Sequence, residues 1–401
     1  MSPSPTSLHM TSFDIEDQAS IKRLVELELA PYLRERVNPG ATQRDLDISP
    51  LPRGLFTYVG KLGLMAWLAP RSMGGLGGSP ASFVRLLSEL GSVCEELEFP
   101  SLLSMYADLA NLLAQCDSPA IREHYAAPAL RGETLLTFAY TEESDSYDFG
   151  TRARQVDDGW LISGHKVAQT GGGLADAFLV YARDETDHLQ VFVVDRDAPG
   201  VTVKPVPTIG FRSAGMTSMD LEEVFVPAEH VIVDADGHGQ VQRFLNARRL
   251  YVCAAWPARM RVLLDTLISF LDGRIRSGRP LSRLEAVQSH LGELFVHCEI
   301  AEAVLMRAVN HLESEDSPVF DATLSATKYI LAEHANQFAQ RCMRLTGWPG
   351  FTLELPFQRA VRDFMGALSG QTPQEVMKIL LGNHAVAQVE LRRFRSKATG
   401  R

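Results

Sequence analysis

The spacing of hydrophobic residues changes twice along the chain. From residue 14 to about 135, apolar residues recur at helical spacing among charged ones, as they do from Asp17 to Arg34. From about residue 136 they alternate with polar residues in short runs, such as Ala177 to Arg183, which is typical of strands. After about residue 240 the helical spacing returns, and apolar residues from Val287 to Leu312 step by 4 and 3 positions, as in a bundle seam.

This order predicts an α+β chain of three parts. We expect an N-terminal helical domain over 1–135, a central β-barrel or sandwich domain over 136–235, and a C-terminal helical bundle over 236–401. A glycine-rich stretch at 69–80 is interpreted as a helix–helix turn that needs positive φ. It is a poor phosphate loop because no strand precedes it.

Composition narrows the kinds of partner. The 401 residues, 45% of them hydrophobic, can bury a large core in two or three structural units. The net charge of −10 argues against nucleic-acid binding, which needs a basic face. Five scattered cysteines without CxxC spacing predict reduced thiols and no metal site. We find no signal peptide and no apolar run of about 18 residues, so we expect a cytoplasmic protein without a membrane partner.

The segment from Thr137 to Gly173 carries the most chemical information. Its first part is interpreted as the end of a helical region followed by a loop rich in hydroxyl and acidic groups. Its second part is a strand–turn–strand unit with a polar, glycine-rich tip. Loops of this kind present N–H groups and hydroxyls, which suit a flat heteroaromatic ring or a phosphate.

The same segment resembles the flavin-contacting stretch of the acyl-CoA dehydrogenase family. The family's TEPGAGSD is similar to Thr141 to Asp148, with Ser146 and Tyr147 in place of the glycine–serine pair. The family's GxKxWITNG is similar to Gly164 to Gly171. Thr170 matches the threonine that sits near flavin N5, and Ala168 replaces the tryptophan that packs on the ring.

Further motifs extend the resemblance from about residue 14 to 395. Asp220 to Ile232 is similar to the family's FEDVxVPxxNLLG, which is mainly structural. Arg274 to Pro280 is similar to RxQFGxP, where the arginine would pair with a pyrophosphate; a solvated basic helix end is an equally open interpretation. Leu345 to Phe351 is similar to the IHGGxGF turn, and Arg362-Asp363 matches the RD that follows it.

The resemblance implies a three-domain fold with a C-terminal four-helix bundle and an FAD site completed by a second subunit, hence a homodimer or homotetramer. The cofactor-binding residues that it implies are Tyr140, Thr141, Ser146, Tyr147, Ala168, Thr170, Arg274, Arg276, Arg344, Gly347, Trp348 and Gly350. The substrate-binding residues that it implies are Ser146, Tyr147, Arg249 and Gly370.

The usual catalytic base is missing. Eight residues after the RD, most family members place a glutamate that removes the α-proton of the thioester, but this chain has Gln371. An amide cannot accept a proton at neutral pH. The alternative glutamate position, in the family's LxxERL, is Arg248 here, and Arg249 matches the arginine. Both cations could bind a carboxylate, a phosphate or an enolate oxygen, or could pair with acids on a neighbouring helix.

Three explanations remain open for the missing base. Another acid could serve, the candidates being Glu142, Glu143, Asp145 and Glu375. The register could be shifted by one or two residues. Finally, the reaction could differ from α,β-dehydrogenation.

The resemblance implies an FAD-dependent enzyme acting on an acyl thioester of coenzyme A or an acyl carrier protein. A specialised biosynthetic variant, with altered chemistry or a substrate-derived base, is the preferred form. The alternatives are a two-component flavin-dependent monooxygenase and a flavin-free thioester isomerase, dehydratase or binding protein. An electron-transfer flavoprotein or a flavin reductase would be the redox partner.

Overall fold

The computed structural model describes residues 13–143, 149–232, 237–314 and 320–398, with the backbone alone for 237–243, 314 and 395–398. The chain divides into two compact units, Met1–Val241 and Gln242–Arg401. Each unit is described in turn. None of the helices in the described ranges is long and apolar enough to cross a membrane.

The first unit begins with helices, as the periodicity predicts. The longer ones are α1 (Gln18–Leu24), α2 (Ala41–Asp47), α3 (Arg53–Lys61), α4 (Pro80–Val93) and α5 (Glu98–Ala114), and short helical turns follow α1 from Val25–Leu29 to Leu33–Val37. Side-chain caps begin two of them, because Asp17 accepts from the N–H of Ser20 and Ser79 accepts from that of Ser82. The helical spacing seen up to about residue 135 does not show a break after α5, where Ser118 caps a new helical run that starts at Pro119.

The glycine-rich stretch at 69–80 is a connection, as predicted. Gly74 and Gly77 have φ of +85° and +68°. A Cβ on Gly75 would lie 2.0 Å from the carbonyl oxygen of Ala69, so only glycine fits there. The stretch therefore serves packing, and no phosphate-binding role is needed to explain it.

The rest of the first unit is one eight-stranded sheet. Its strands are β1 (Leu136–Ala139), β2 (Arg152–Val156), β3 (Gly159–Gln169), β4 (Ala177–Arg183), β5 (Leu189–Asp195), β6 (Val201–Pro205), β7 (Thr217–Pro227) and β8 (Val231–Ile232). The order is β6-β7-β3-β2-β4-β5-β8, and β1 pairs in parallel with β4. The interpretation of residue 137 onward as the end of a helical region is wrong, because β1 occupies 136–139. Four residues are too few to show an alternating pattern.

Strand β3 carries the glycine-rich tip at its end. It pairs antiparallel with β7 from Gly159–Pro227 to Gln169–Thr217. The register shifts between Ile162 and Gly164, and again between Lys166 and Gln169. The apolar side of the sheet is a buried cluster that includes Ile162, Phe178 and Phe192, so the sheet gives the tip a rigid support.

The second unit is helical. Its elements are α6 (Gly237–Tyr251), α7 (Trp256–Asp272), a hairpin of β9 (Ile275–Arg276) and β10 (Arg279–Pro280), α8 (Glu285–Ser314), α9 (Ala322–Thr346), the one-turn α10 (Trp348–Phe351), α11 (Phe357–Ser369) and α12 (Gln374–Ala398). The first residues of α6 belong to the first unit. The predicted seam lies on α8, where Leu294, Cys298 and Ala301 are fully buried. Helix α9 packs against α7, α8, α11 and α12.

Candidate functional site

The turn between α11 and α12 holds Gln371, the residue that the resemblance predicts at the family's base position. Helix α11 ends at Ser369, and the N–H of Gly370 caps it by donating to the carbonyl oxygen of Gly366 at 2.8 Å. The next two residues, Gln371 and Thr372, have φ of +54° and +83°. Left-handed backbone in a residue other than glycine costs about 1–3 kcal/mol and concentrates at functional sites. The half-buried Gln371 is therefore held in one unusual conformation.

Two buried cations contact this turn from other helices. Lys328 of α9 donates through Nζ to the carbonyl oxygen of Thr372 and to Oε1 of Gln374, both at 3.0 Å. Arg249 of α6 donates through Nη2 to Oγ1 of Thr372 at 3.3 Å. Lys328 is 0% exposed and Arg249 is 2% exposed. Both cations thus support the backbone and hydroxyl of one strained residue.

The acceptors of Lys328 are neutral oxygens. Burial lowers the pKa of Lys328 to about 8 and the charge of Arg249 lowers it further, while electrostatic interactions with Cys253 and Glu333 counteract this change. Gln374 completes the connection to α9, because its Nε2 donates to the carbonyl oxygen of Tyr329 at 3.2 Å. The result is a buried polar network joining α6, α9 and the turn.

Arg248 and Arg249 lie inside the second unit, and both are 2% exposed. Besides Thr372, Arg249 donates to Oδ1 of Asn246 at 2.9 Å and to Oγ of Ser325 at 3.4 Å. These contacts hold helices and the turn together. They support the structural interpretation of Arg249, and a substrate contact by either arginine stays a prediction.

Glu375, one of the alternative bases, points away from this network. Its side chain is 81% exposed and accepts from Lys378 one turn along α12 at 2.7 Å. Its surroundings are therefore solvent and a salt bridge. A base in a dry pocket would need burial to gain basicity.

Glu142, a second alternative, is already engaged in the first unit. It accepts from Nζ of Lys166 at 2.6 Å, from Oγ1 of Thr151 at 2.6 Å and from the N–H of Gly150 at 2.5 Å. Burial acts to raise the pKa of Glu142, but the bonds from Lys166 and Thr151 outweigh it and lower the pKa. A carboxylate stabilised in this way is a weak base, so the contacts of Glu142 support a structural role.

Lys166 is the buried partner of Glu142. Its side chain is 0% exposed, and it lies over the ring of Phe149 with Nζ 4.7 Å from the ring centre. Burial lowers its pKa to about 8, while the hydrogen bond and charge of Glu142 counteract this. The ion pair ties the residues after β1 to β3.

The glycine-rich tip after β3 is fixed from several sides. Thr137 donates through its hydroxyl to the carbonyl oxygen of Thr170, and Tyr106 donates to that of Gly171 at 3.2 Å. Burial raises the pKa of Tyr106, so its phenol keeps the proton it donates. Gly171 has φ of +79°, and a Cβ on Gly172 would lie 1.9 Å from Oγ1 of Thr217. The tip can adopt this shape only with glycines.

A buried donor of Gln169 lies beside the tip. Gln169, 0% exposed, accepts through Oε1 from Thr217 at 3.2 Å, while its Nε2 has no hydrogen-bond partner among the residues that the structure describes. Buried polar groups are nearly always paired, so such a group points to a missing partner. The sequence motif did not indicate Gln169, because it occupies a position where the family motif has isoleucine.

The other predicted residues of the first unit are placed as follows. Tyr140 lies in an aromatic group with Phe138, Phe149 and Tyr181, at ring distances of 4.9 to 5.5 Å. Thr141 is exposed and its carbonyl oxygen accepts from the N–H of Val167, and Ala168 is half-buried on β3. Asp145, Ser146 and Tyr147 lie outside the described residues.

Most of the predicted flavin contacts of the second unit lie at its surface. Arg274 and Arg276 are exposed, and Arg274 stacks on Phe270 with 4.7 Å from Cζ to the ring centre. Arg276 belongs to the hairpin, whereas Arg274 follows the end of α7 and donates its N–H to the carbonyl oxygen of Leu271. Arg344, Gly347 and the 75% exposed Trp348 follow one another at the end of α9, and Gly350 is buried against Thr346. Their proposed contacts with a second subunit's flavin stay predictions.

Lys328 is the main residue that sequence reasoning missed. It stands in an amphipathic helix where a lysine is ordinarily a surface residue. A signal did exist, since Lys328 is flanked by Ala326, Thr327 and Ile330 rather than by charged residues. That signal is weak without the fold.

A helical N-terminal region, a central β-sheet and a C-terminal helical unit define the three-part architecture of a class of flavoprotein oxidoreductases. Family models of the acyl-CoA dehydrogenase N-terminal, middle and C-terminal domains match residues 19–133, 137–224 and 235–386. The chain belongs to the acyl-CoA dehydrogenase family. The predicted family, fold and enzyme class are confirmed.

Three relatives illustrate the range of this similarity. Benzylmalonyl-CoA dehydrogenase of Aromatoleum aromaticum is 28% identical over 380 residues, 92% of this chain and 98% of the relative. Glutaryl-CoA dehydrogenase of Mycobacterium smegmatis in complex with FADH2 has a TM-score of 0.84 at 22% identity, covering 93% and 96% of the two chains. The prolyl acyl carrier protein oxidase AnaB has a TM-score of 0.83 at 19% identity, covering 92% and 98%.

Proposed function

We propose that this protein is an FAD-dependent oxidoreductase acting on an acyl thioester of coenzyme A or an acyl carrier protein. The observation that carries the proposal is the fixed tip at Thr170 to Gly173 with the unpartnered donor of Gln169 beside it. The relatives support both carriers, since their names include coenzyme A thioesters and an acyl carrier protein.

The residues of the tip fit a flavin. Its glycines pack closely against Tyr106 and Thr217, which fixes the backbone that would face a flat ring. The Nε2 group of Gln169 offers a buried N–H, and the edge of an isoalloxazine carries oxygen and nitrogen acceptors. Thr170 would contribute its hydroxyl, and Arg274 would pair with the pyrophosphate of the cofactor. Bound FAD supplies a hydride acceptor for the β-carbon of a thioester.

Gln371 makes proton removal by the residue at this position impossible, so we propose a substrate that needs none. A thioester with a carboxylate on its α-carbon meets this condition. When that carboxylate leaves as CO2, the electron pair of the broken bond stays on the α-carbon, as it does when a base takes a proton. A malonyl-type thioester is such a substrate, and one relative is named for a substituted malonyl-CoA.

A second candidate is hydroxylation by a two-component flavin monooxygenase. The observation that favours it is again Gln371, since oxygen insertion by reduced flavin does not begin with removal of the α-proton. The redox partner separates the two proposals. A dehydrogenase would pass electrons to an acceptor such as an electron-transfer flavoprotein, and a monooxygenase would need a flavin reductase.

We also propose a homodimer or homotetramer in the cytoplasm, and domain boundaries near 135/136 and 235/236. A second subunit would receive the surface residues Arg344, Gly347 and Trp348 near its flavin. The exposure of Trp348 and of Phe351, 75% and 72%, supports a partner surface at this end of α9.

The test begins with the purified protein and its absorption spectrum. An oxidised-flavin spectrum is expected, and a colourless protein that takes up no added FAD would contradict the proposal. Anaerobic mixing with paired thioesters follows, one plain acyl and one carrying an α-carboxylate on the same chain. Flavin bleaching with release of CO2 only from the α-carboxylate member supports the substrate class. Bleaching by the plain member alone would overturn that class and leave the flavin enzyme standing.

A further inference from the structure

The strained turn is held by groups that lie outside it. Gln371 and Thr372 are consecutive residues with positive φ, and neither is glycine. Such backbone persists only where surrounding contacts over-determine it. The contacts recorded for Thr372 are made by its carbonyl oxygen and its hydroxyl. Whatever donates to those two atoms sets where the side chain of residue 371 lies.

Lys328 makes the more extensive of these contacts. One ammonium group donates to the carbonyl oxygen of Thr372 and to Oε1 of Gln374, so it joins the strained residue to the first residue of α12. Gln374 donates back to the carbonyl oxygen of Tyr329, the neighbour of Lys328 on α9. The turn is therefore anchored at two points to one helix. Arg249 adds a third point from α6.

The geometry excludes Lys328 as a substitute base in this conformation. Its side chain is 0% exposed, so a substrate proton has no open approach to Nζ, and two of its N–H groups are directed at the oxygens of Thr372 and Gln374. A base needs a free electron pair directed at the proton it removes. A buried ammonium whose two hydrogen-bond acceptors are neutral is costly to desolvate, and the charge of Glu333 offsets that cost only in part. Its placement is explained by the conformation it imposes.

We propose that Lys328 is a positioning residue that fixes the side chain of residue 371 by holding the carbonyl oxygen of Thr372. Arg249 is the second support. The functional meaning rests on the proposed function, in which residue 371 faces the substrate, whereas the conformational statement stands by itself. Lys328 and Arg249 hold the turn through Thr372 and not through the side chain of Gln371. Another residue type at position 371 would therefore lie in the same place.

The conformational test is hydrogen–deuterium exchange of the purified full-length protein, followed in peptides that span residues 366–378. Lys328→Met removes the donors and keeps the length of the side chain. Exchange in the turn should rise about 10- to 100-fold, the effect of losing hydrogen bonds from a charged donor. The matched control is Lys378→Met, because Lys378 lies on the same stretch but is 50% exposed and donates its hydrogen bond to Glu375 and not to the turn. It should leave exchange in the turn unchanged.

A folded Lys328→Met variant with unchanged exchange in these peptides overturns the proposal. If that variant does not fold, Gln374→Leu carries the test, since it leaves Lys328 in place and removes one of its two acceptors. A several-fold rise in exchange is then expected, and no rise overturns the proposal.

The functional test uses a Gln371→Glu background. There, Lys328→Met should lower the rate constant of flavin reduction by a thioester about 100-fold, because a misplacement of about 1 Å costs that much, with little change in thioester affinity. A loss confined to affinity would overturn a positioning role. If no thioester reduces the flavin in any variant, the proposed function has failed, and the exchange result still decides the conformational statement.

Discussion

The two units each contain a fully buried lysine, and the two lysines have opposite surroundings. Lys166 has a carboxylate partner, Glu142, at 2.6 Å, whereas Lys328 donates to a backbone carbonyl and an amide oxygen. Burial lowers the pKa of each to about 8. We call the first the Lys166–Glu142 pair and the second the Lys328 network. In the Lys166–Glu142 pair, the two charges compensate each other. In the Lys328 network, the charged group holds the backbone of the turn in its conformation.

The difference shows that a buried lysine can have two different roles, compensation of a buried charge and positioning of backbone. Removing Lys166 would leave Glu142 as an uncompensated charge, which proteins tolerate poorly. Removing Lys328 leaves only neutral acceptors, and neutral acceptors cost less to leave unpaired. We therefore expect the pair to matter more for stability and the network to matter more for the position of residue 371.

The largest expected effect tests whether the Lys328 network holds residue 371 at the position of a catalytic base. Gln371→Glu should create or raise α,β-dehydrogenation of a plain acyl thioester by about 10²–10⁴-fold, the usual contribution of a positioned base. Anaerobic flavin bleaching in a stopped-flow instrument measures it. The control is Gln388→Glu, which places a carboxylate on the exposed surface of α12. No gain with any thioester would show that residue 371 does not occupy the base position.

The next effect compares the two lysines directly. Lys166→Met should lower the free energy of unfolding by about 3–5 kcal/mol, because it strands a buried carboxylate. Lys328→Met should lower it by about 1–2 kcal/mol. Denaturant titration of both variants measures the difference. Equal losses would mean that the charge of Glu142 is relieved in some other way, and the comparison would fail.

Replacing both members of the pair sharpens this result. Lys166→Met combined with Glu142→Leu removes the stranded charge, so it should recover part of the stability lost by Lys166→Met alone. A double variant less stable than the single one would show that Glu142 stabilises the loop through Thr151 and Gly150 more than its charge destabilises it.

A pH dependence follows from the lowered pKa of Lys328. The pKa is about 8 in the folded protein and near 10.5 in the unfolded chain, so the unfolded state binds more protons between these values. The free energy of unfolding that Lys328 contributes therefore rises with pH from about 8 to 10.5. The difference between wild type and Lys328→Met should increase in that window. A flat difference would mean that Lys328 titrates near its ordinary value.

The smallest effect lies outside both lysine sites. Arg274→Ala should weaken FAD binding about two- to fivefold, since Arg274 is exposed and exposed charge contacts contribute little. Flavin content after dialysis measures it. Arg392→Ala, an exposed arginine on α12, is the control and should change nothing. Equal flavin content in wild type and Arg274→Ala would remove Arg274 from the proposed site.

Much of the fold could be predicted from sequence because two kinds of signal agreed. Periodicity gave the order of helical and β segments, and motifs in the same order pointed to the family. Where an element is short the signal failed, as it did for β1, which has four residues. A continuous apolar pattern likewise hid the break after α5, which depends on the capping hydroxyl of Ser118 and on Pro119.

The candidate site could be predicted only in part. Counting eight residues from Asp363 led to the prediction that Gln371 occupies the base position. Nothing in the letters Gln-Thr indicates positive φ, because neither residue favours it. Nor could spacing join Lys328 to Thr372 or Lys166 to Glu142. These contacts span 44 and 24 residues and arise only when the chain is folded.

The second register shift of β3 has a consequence for how the tip faces. Residues three apart in a regular strand point to opposite sides, yet Lys166 and Gln169 are both 0% exposed. Between these two residues β3 advances by three residues, whereas its partner β7 advances by only two, from Met219 to Thr217. Because β3 has this one extra residue, the side chains of Lys166 and Gln169 lie on the same side of the strand. Deleting Val167 or Ala168 would leave the sequence of the TGGG motif unchanged, but it would exchange the two sides of the tip.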